Sequence, residues 1–349
     1  MKPTLPATFV GGFHDEACVS KMKYNPFGKT DLVVSEISFG AGTLSKLYGN
    51  LGETDGVKAV HLALKSGINY IDTAPYYGQG RSEEILGVAL KDVPRQAYYI
   101  ATKVGRYETD YRRMFDYSAK KTRESVEKSL KLLGVKCLDV VQIHDIEFVS
   151  DLNKIINETL PALEQLKAED KLRYIGVSAY PIDVLKEVIS RAPGRFDTVL
   201  SYCRNTLIDN TLSRFMPFFE AHNVAVICAA GHSMGLLTNS GPQAWHPAQE
   251  QTKTVCREAS NYCRENGVEL GKLAMYHFIQ MKGPATFLCG MQTEALVAMN
   301  LEAFLNGLND KERNVLNYLN KNVFNKVEHS NWEGIEVKRY EDAMQKTDG

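Results

Sequence analysis

The sequence predicts a (β/α)₈ barrel, also called a TIM barrel, because short apolar segments alternate with helical patterns along most of the chain. Eight segments have the length and composition of buried strands: residues 34–40, 69–74, 98–104, 138–144, 174–178, 198–202, 224–230 and 286–290. Eight helical patterns accompany them: residues 55–65, 82–91, 118–133, 152–170, 183–191, 212–221, 270–282 and 293–305. Such alternation is typical of parallel strands joined by crossover helices, and eight units close a barrel.

Glycines mark several boundaries of these elements. Gly67 and Gly134 follow predicted helices and suit the left-handed conformation that ends many helices. Residues 23–33, with Gly28 at the turn, predict a short N-terminal hairpin that closes the bottom of the barrel.

Three segments lie outside the repeat. Two extra helices, at residues 252–266 and 312–325, are candidates for lids over the barrel. Residues 1–21 have no pattern and predict a flexible leader. The expected organisation is therefore a leader at 1–21 followed by one barrel domain over 22–349.

Composition excludes several classes of partner. The chain has 349 residues, of which 44% are apolar and 24% charged, and its 41 basic and 42 acidic residues give a net charge of -1. This balance offers no general attraction to nucleic acid or to an anionic membrane. No apolar run has the roughly 20 residues of a membrane helix, and the first residues lack a signal-peptide core. We expect a cytosolic protein, and in the absence of heptad repeats a monomer.

The cysteines and histidines indicate neither disulfides nor a metal. The seven cysteines are scattered without a Cys-x-x-Cys pair, so we expect them to be reduced. Cys203, Cys228 and Cys289 lie in strand-like runs, where a thiol packs as a small hydrophobe. The eight histidines have no ligand spacing, and we expect no metal site.

Polar residues at the predicted strand ends mark the candidate site, because barrel enzymes carry their reactive groups there. Asp72, Lys103 and His144 each follow an apolar stretch in neighbouring strands, and Tyr77 lies shortly after Asp72. Their burial is costly unless they meet in a shared polar site. A lysine beside a phenol favours the ionised phenol, so we expect the pKa of Tyr77 to be lowered.

This set predicts general acid–base chemistry on a carbonyl. Tyr77 would donate a proton to the carbonyl oxygen as hydride reaches carbon, and would accept it back in the reverse direction. Lys103 and Asp72 would adjust the pKa of Tyr77, and His144 would orient the carbonyl. The alternative is a structural Asp72–Lys103 ion pair with a satisfied core histidine, and it weakens when three adjacent strands deliver complementary groups at one end.

The motifs around these residues closely resemble the signature of the aldo-keto reductase family. Residues 72–78 (DTAPYYG) and 80–87 (GRSEEILG) carry this resemblance, and Lys103 and His144 fall where the family's other catalytic residues are expected. The likeness extends over about residues 22–305. Within the family, residues 227–238 and 241–248 are most similar to L-galactose dehydrogenase-like members.

The resemblance implies a nicotinamide cofactor, NAD(P)H, across the barrel mouth, with small residues beneath the ring and pyrophosphate after the seventh strand. The implied cofactor-binding residues are Gly40, Ala41, Asp72, Ser178, Ala179, Tyr202, Ala230, His232, Met234, Gly290, Met291, Gln292, Thr293 and Asn300. This chain departs from the family at the nicotinamide clamp, where Ala179 replaces an asparagine and Tyr202 a glutamine. It departs again where Ala229 replaces a stacking aromatic residue.

The adenosine end also departs from relatives that prefer NADP(H). Those relatives present a lysine after the eighth strand and an arginine shortly afterwards, and both pair with the 2′-phosphate. Gly290 and Leu296 occupy these places here. The expectation is that NAD(H) is used at least as well as NADP(H).

The substrate is expected to be a small carbonyl compound or sugar. Tyr76, His144 and Trp245, with the loop at residues 105–117, are the candidate walls of its pocket. Three aromatic residues of the loop pack on the loop itself in the alternative interpretation: Tyr107, Tyr111 and Phe115.

Two other functions are compatible with the sequence. A lyase or aldolase would use Lys103 as a Schiff base, but it needs a neutral lysine, and the neighbours Asp72 and Tyr77 favour a charged one. A regulatory subunit would keep the barrel and bind the cofactor without significant turnover.

Overall fold

The computed structural model describes residues 5–45, 47, 49 and 52–347. Ten strands run along the chain: β1 Tyr24–Pro26, β2 Val33–Ser35, β3 Ile37–Gly40, β4 Tyr70–Asp72, β5 Tyr99–Val104, β6 Leu138–Ile143, β7 Leu172–Ala179, β8 Thr198–Tyr202, β9 Ala225–Ala229 and β10 Thr286–Gly290. Strands β3 to β10 form one closed parallel barrel, in which β10 pairs with both β3 and β9. The predicted (β/α)₈ fold is confirmed.

The α-helices surround this barrel. They are α1 Glu16–Val19, α2 Glu53–Lys65, α3 Arg81–Leu90, α4 Tyr111–Met114, α5 Ala119–Leu133, α6 Leu152–Lys154, α7 Leu160–Ala168, α8 Ile182–Arg191, α9 Met216–Ala221, α10 Glu250–Glu265, α11 Leu270–Phe278, α12 Glu294–Asn306, α13 Asp310–Asn322 and α14 Ile335–Thr347. Their apolar faces and the outer faces of the strands form the main core. No helix in the described part of the chain is long and apolar enough to cross a membrane.

The predicted N-terminal hairpin is confirmed and closes one end of the barrel. β1 and β2 pair antiparallel, and Gly28 in the turn has a φ of 60°. A Cβ on Gly28 would lie 2.8 Å from the backbone nitrogen of Ala225, so the close approach also requires glycine. Phe27 is completely buried with its ring 5.2 Å from that of Tyr70, inside the barrel. The open end is therefore the opposite one, at the carboxyl ends of the strands.

One predicted helix was wrong as a continuous element. Residues 152–170 contain α6, a π-helical turn at Ile155–Thr159 and α7. Pro161 at the start of α7 has no N–H to donate to the preceding turn, which interrupts the regular helical hydrogen bonding. Within the π-helical turn, the Thr159 hydroxyl donates to the Tyr117 carbonyl at 2.5 Å. The helix at 212–221 is also interrupted, by a 3₁₀ turn at Thr211–Arg214 before α9.

The leader is more structured than its lack of pattern predicts. α1 begins after Asp15, whose side chain caps it, and Val19 is 1% exposed. Asn69 donates to the Thr8 hydroxyl at 3.0 Å, and this contact ties the leader to the barrel. The mobility of residues 1–21 stays a prediction, and these contacts argue against it; residues 1–4 lie outside the described part.

Candidate active site

A cavity of about 790 Å³ opens at the carboxyl ends of the barrel strands. Its size is in the range of sites for cofactors and small molecules. All four residues of the predicted catalytic set line it: Asp72, Tyr77, Lys103 and His144. The barrel therefore brings together the residues that the sequence predicted to meet.

A buried ion pair lies at the base of the cavity. The Lys103 ammonium donates to the Asp72 carboxylate and, at 2.9 Å, to the Thr73 carbonyl. The second Asp72 oxygen accepts a hydrogen bond from Gln142 Nε2 at 2.6 Å. Sequence reasoning missed Gln142, although it aligns with Lys103 across the β5–β6 ladder and therefore lies at the same level of the barrel.

Tyr77 lies over this ion pair. Its hydroxyl accepts a hydrogen bond from Lys103 Nζ at 3.4 Å, and the same nitrogen is 4.9 Å from the centre of the ring. A Cβ on Gly42 would be 3.4 Å from the ring, already in van der Waals contact, so side chains larger than that of alanine would meet the phenol. The phenol is thus held between the lysine and a small residue.

The predicted lowering of the Tyr77 pKa was wrong in its net direction. Burial raises the pKa of Tyr77, and Lys103 lowers it by less. Burial by itself would lower the pKa of Lys103, but Asp72 and Tyr77 raise it overall. Burial also raises the pKa of Asp72, against the opposing effect of Lys103. The result is a neutral phenol beside a charged ammonium.

His144 is neutral at physiological pH. Burial is the largest cause that lowers its pKa, and with the smaller effects of the positive charges of Lys103 and Arg106, against the opposing effect of Asp145, the net pKa is about 3. Its ring meets that of Tyr77 edge-on, with the centres 5.9 Å apart. Nδ1 is buried and has no hydrogen-bond partner among the described residues, which does not fit a satisfied core histidine.

The low pKa of His144 predicts a specific acid sensitivity. The unfolded chain binds a proton at pH 6.5 and the folded chain only at about pH 3, so stability rises with pH across this interval. We expect His144→Gln to reduce the slope of unfolding free energy against pH by up to ~1.4 kcal/mol per pH unit between pH 4.5 and 6. Urea titrations at several pH values measure it, with the exposed His329→Gln as control. Equal slopes for wild type and His144→Gln would contradict the assignment.

Most of the predicted cofactor-binding residues lie in the cavity wall. Those that line it are Gly40, Asp72, Ser178, Tyr202, Ala230, His232, Met234, Gly290 and Asn300. The others lie behind it or beside it: Ala41, Ala179 and Met291 are completely buried, Gln292 is half-buried, and Thr293 caps α12.

Two features of this wall suit a bound dinucleotide. Asn300 is 1% exposed, and its carbonyl oxygen Oδ1 is buried and has no hydrogen-bond partner among the described residues, so it can accept a hydrogen bond from a ligand. After β9, Ala230, Ser233 and Met234 all have left-handed backbone, with φ of 59°, 48° and 51°. Such strain in non-glycine residues is concentrated at ligand-binding sites.

The predicted substrate-side residues also line the cavity: Tyr76, His144 and Trp245. Trp245 is 38% exposed and donates to the Leu47 carbonyl at 3.2 Å. The loop at 105–117 agrees in part with each interpretation, as a pocket wall and as a loop packed on itself. Tyr111 lines the cavity, whereas the Tyr107 hydroxyl accepts a hydrogen bond from the Gly105 amide at 2.9 Å within the loop.

The lid predictions need correction. α10 and α13 contribute no residue to the described wall of the cavity. They pack against each other, with the rings of Tyr262 and Tyr318 stacked. α14 does contribute, through Glu336, Arg339 and Tyr340. The sequence pattern did not predict α14.

A second buried ion pair beside His144 was also missed. Arg106 donates to Asp145 Oδ2 at 2.7 Å and to the Tyr76 hydroxyl at 3.2 Å. Both Arg106 and Asp145 line the cavity. Asp145 directly follows His144 in the sequence, and this adjacency was the available signal.

Metal and thiol chemistry find little support in this region. No group of three or more potential metal ligands occurs among the described residues. All seven cysteines are free, and Cys203, Cys228 and Cys289 are buried, as predicted. Burial raises the pKa of each of these three thiols, which makes them poor nucleophiles.

A family model described as the aldo/keto reductase family matches residues 36–321. This range contains all eight barrel strands and the four residues of the predicted catalytic set, Asp72, Tyr77, Lys103 and His144.

Two relatives are sugar dehydrogenases by name. The chain is 40% identical to an L-galactose dehydrogenase of Arabidopsis thaliana over 82% of its own length and 89% of the relative's. It is 32% identical to a D-arabinose 1-dehydrogenase of Saccharomyces cerevisiae, over 89% and 96% of the two chains.

A solved structure of similar architecture is an aldo-keto reductase from Bacillus halodurans in its holo form. It superposes with a TM-score of 0.68 at 29% identity, covering 85% of this chain and 96% of that one.

Proposed function

The chain belongs to the aldo/keto reductase family and is an NAD(P)-dependent oxidoreductase, and we propose that it oxidises a sugar alcohol or hemiacetal with Tyr77 as general acid and base. The observation that carries this proposal is the meeting of Tyr77 with the Lys103–Asp72 pair beside neutral His144. The nicotinamide ring, when bound, accepts or supplies the hydride.

The residues have distinct roles in this proposal. In reduction, the neutral phenol of Tyr77 donates its proton to the carbonyl oxygen. In oxidation, the deprotonated form of Tyr77 would take the substrate's hydroxyl proton, while the hydrogen on carbon leaves with its bonding electrons as a hydride for the oxidised nicotinamide. Lys103 lies 3.4 Å from the phenol oxygen and stabilises it when it is deprotonated. Asp72 keeps Lys103 charged, and His144 donates to the substrate oxygen and orients it.

The cavity residues fit a nicotinamide dinucleotide. Ser178 lines the wall near the catalytic group, and its hydroxyl accepts from the Asp145 amide at 3.1 Å, leaving its proton for a ligand carbonyl. The free Asn300 oxygen suits an amino group such as that of adenine. We assign the left-handed segment from Ala230 to Met234 to the pyrophosphate.

We propose further that NAD(H) is used at least as well as NADP(H). Gly290 and Leu296 line the wall where a basic pair would hold a 2′-phosphate, and the Glu269 carboxylate lies in the same wall. The basic residues in the described wall are Lys103, Arg106 and Arg339, and the first two are paired to carboxylates at the catalytic end.

Replacing Leu296 with arginine tests the cofactor preference. We expect Leu296→Arg to raise kcat/KM for NADPH about 10-fold, because it adds a charge-assisted contact to the phosphate, with a smaller change for NADH. Steady-state rates with both cofactors measure it, and Ala298→Arg, on the exposed side of α12, is the matched control. A large preference of the wild type for NADPH would refute the proposal.

L-Galactose is the first substrate to test, by likeness to the named relatives. NADH formation at 340 nm with L-galactose, other aldoses, steroids and simple alcohols would identify the class. The regulatory alternative requires cofactor binding without turnover of any of them. Borohydride trapping of a substrate on Lys103 would favour the lyase alternative. A cytosolic location and a monomeric state stay proposals from the sequence, and light scattering tests the second.

A further inference from the structure

We propose that the Arg106–Asp145 pair is a subsite that binds hydroxyl groups next to the reacting carbon, so that the enzyme selects polyhydroxylated substrates over apolar ones. This inference rests on the proposed function and specifies the chemistry of its substrate. Both residues line the cavity, on the same side as His144.

The pair is positioned next to the reacting atoms. His144 Nε2, the candidate donor to the substrate oxygen, is 3.5 Å from Asp145 Oδ2. A hydroxyl oxygen on the carbon beside the reacting carbon lies roughly one hydrogen-bond length from the reacting oxygen, which brings it within reach of that carboxylate. The Asp145 amide is fixed to Ser178, and its carbonyl accepts from the Tyr117 hydroxyl at 2.7 Å, so the backbone that carries the carboxylate is held on both sides.

Both members carry full charge in the cavity. Although burial raises the pKa of Asp145, its interactions with His144 and with the charged Arg106, which also donates a hydrogen bond to it, lower that pKa overall. Burial by itself would lower the pKa of Arg106, but Asp145 and Tyr76 raise it. The Asp145 carboxylate is therefore an acceptor and the Arg106 guanidinium a donor throughout the physiological range.

The pair has donor capacity that the protein does not use. Two of the Arg106 nitrogens donate hydrogen bonds, one to Asp145 and one to Tyr76. The third, Nε, is buried and has no hydrogen-bond partner among the described residues. The guanidinium is enclosed by aromatic rings, with Tyr76 at 4.0 Å and Phe148 at 5.6 Å. α14 adds Glu336 to the cavity wall. Burial raises the pKa of Glu336, and the positive charge of Arg106 opposes that effect.

An apolar substrate would bind here at a cost. It would displace water from both groups without replacing the hydrogen bonds that the pair itself does not make, and leaving buried polar atoms unsatisfied is unfavourable even when the two charges are paired. A substrate with vicinal hydroxyls restores those bonds: one hydroxyl donates to Asp145, and a hydroxyl oxygen accepts from Arg106. A site built in this way discriminates by the loss of charged hydrogen bonds, which is about 10- to 100-fold per group.

Two aldehydes of equal length test the subsite. Glyceraldehyde and propanal differ only in two hydroxyls. We expect Asp145→Asn to lower the ratio of kcat/KM for glyceraldehyde to that for propanal by about 10- to 100-fold. This change of ratio does not depend on how far each aldehyde is hydrated in water. The matched control is Asp183→Asn, at an exposed site, for which we expect the wild-type ratio.

A second measurement needs no variant. Glycerol should inhibit the wild type, in competition with aldehyde, at a concentration at least about 10-fold lower than 1-propanol does. Equal inhibition constants, or an unchanged ratio in folded Asp145→Asn, would overturn the subsite while leaving the oxidoreductase intact. Absence of turnover with either aldehyde and either cofactor would refute the proposed function and this subsite with it.

Discussion

Tyr77→Phe is expected to lower kcat for aldehyde reduction by about 10²- to 10⁴-fold, because it removes the proton donor and leaves the ring in place. Among the described residues the phenol makes one hydrogen bond, from Lys103 at 3.4 Å, so we expect its loss to leave the backbone and the cavity wall unchanged. Cofactor affinity should stay within about 3-fold of wild type, since we assign no cofactor contact to this hydroxyl. Stopped-flow kinetics and fluorescence titration measure the two quantities.

Tyr318→Phe is the matched control for that experiment. Tyr318 lies on α13, 42% exposed and stacked on Tyr262, outside the cavity wall. Activity of Tyr77→Phe within 10-fold of wild type would exclude Tyr77 as the acid. A joint loss of activity and cofactor affinity would indicate that the substitution had damaged the site rather than the chemistry.

Lys103→Met is expected to abolish activity and to destabilise the fold by about 3–5 kcal/mol, because it leaves the Asp72 carboxylate buried without its partner. Both side chains are nearly inaccessible, with exposures of 1% and 2%. The double variant Asp72→Asn/Lys103→Met removes the unpaired charge, and its amide can still accept from Gln142. We expect it to recover most of the lost stability and none of the activity.

Urea unfolding and steady-state kinetics on the same preparations separate the two effects. Lys120→Met, at a lysine whose side chain is 87% exposed, should change the unfolding free energy by no more than about 0.5 kcal/mol. Activity in the double variant would mean that the pair is structural. A double variant as unstable as the single one would mean that the unpaired carboxylate is not the cause of the instability.

The barrel and the catalytic set were predictable because each rests on a local pattern. Strands such as 98–104 are mostly apolar, and Asp72, Lys103 and His144, each near the end of its own strand, line the same cavity at the carboxyl ends of the barrel strands. The hairpin was predictable for a similar reason, since Gly28 marks its turn. These features depend on the order of residues over short distances.

Features that depend on packing between distant segments were not predictable. The pKa of Tyr77 is set by how completely the fold buries it, and strand patterns carry no measure of that. The π-helical turn within residues 152–170 makes a hydroxyl contact from Thr159 to Tyr117, a residue distant in the chain, and the helical pattern does not reveal that contact. α14 is amphipathic but follows no strand, so the repeat gave no reason to place it at the cavity.

The central claim is direct hydride transfer at a carbon held beside Tyr77, and isotope tracing tests it most directly. Glyceraldehyde is reduced with NADH deuterated at the transferred position of C4, and the product is examined by NMR for wild type and Tyr77→Phe. We predict deuterium at C1 of the alcohol from the wild type, and a rate of labelled product about 10²- to 10⁴-fold lower from the variant. Unlabelled alcohol from the wild type, or equal rates of labelling by both proteins, would contradict it.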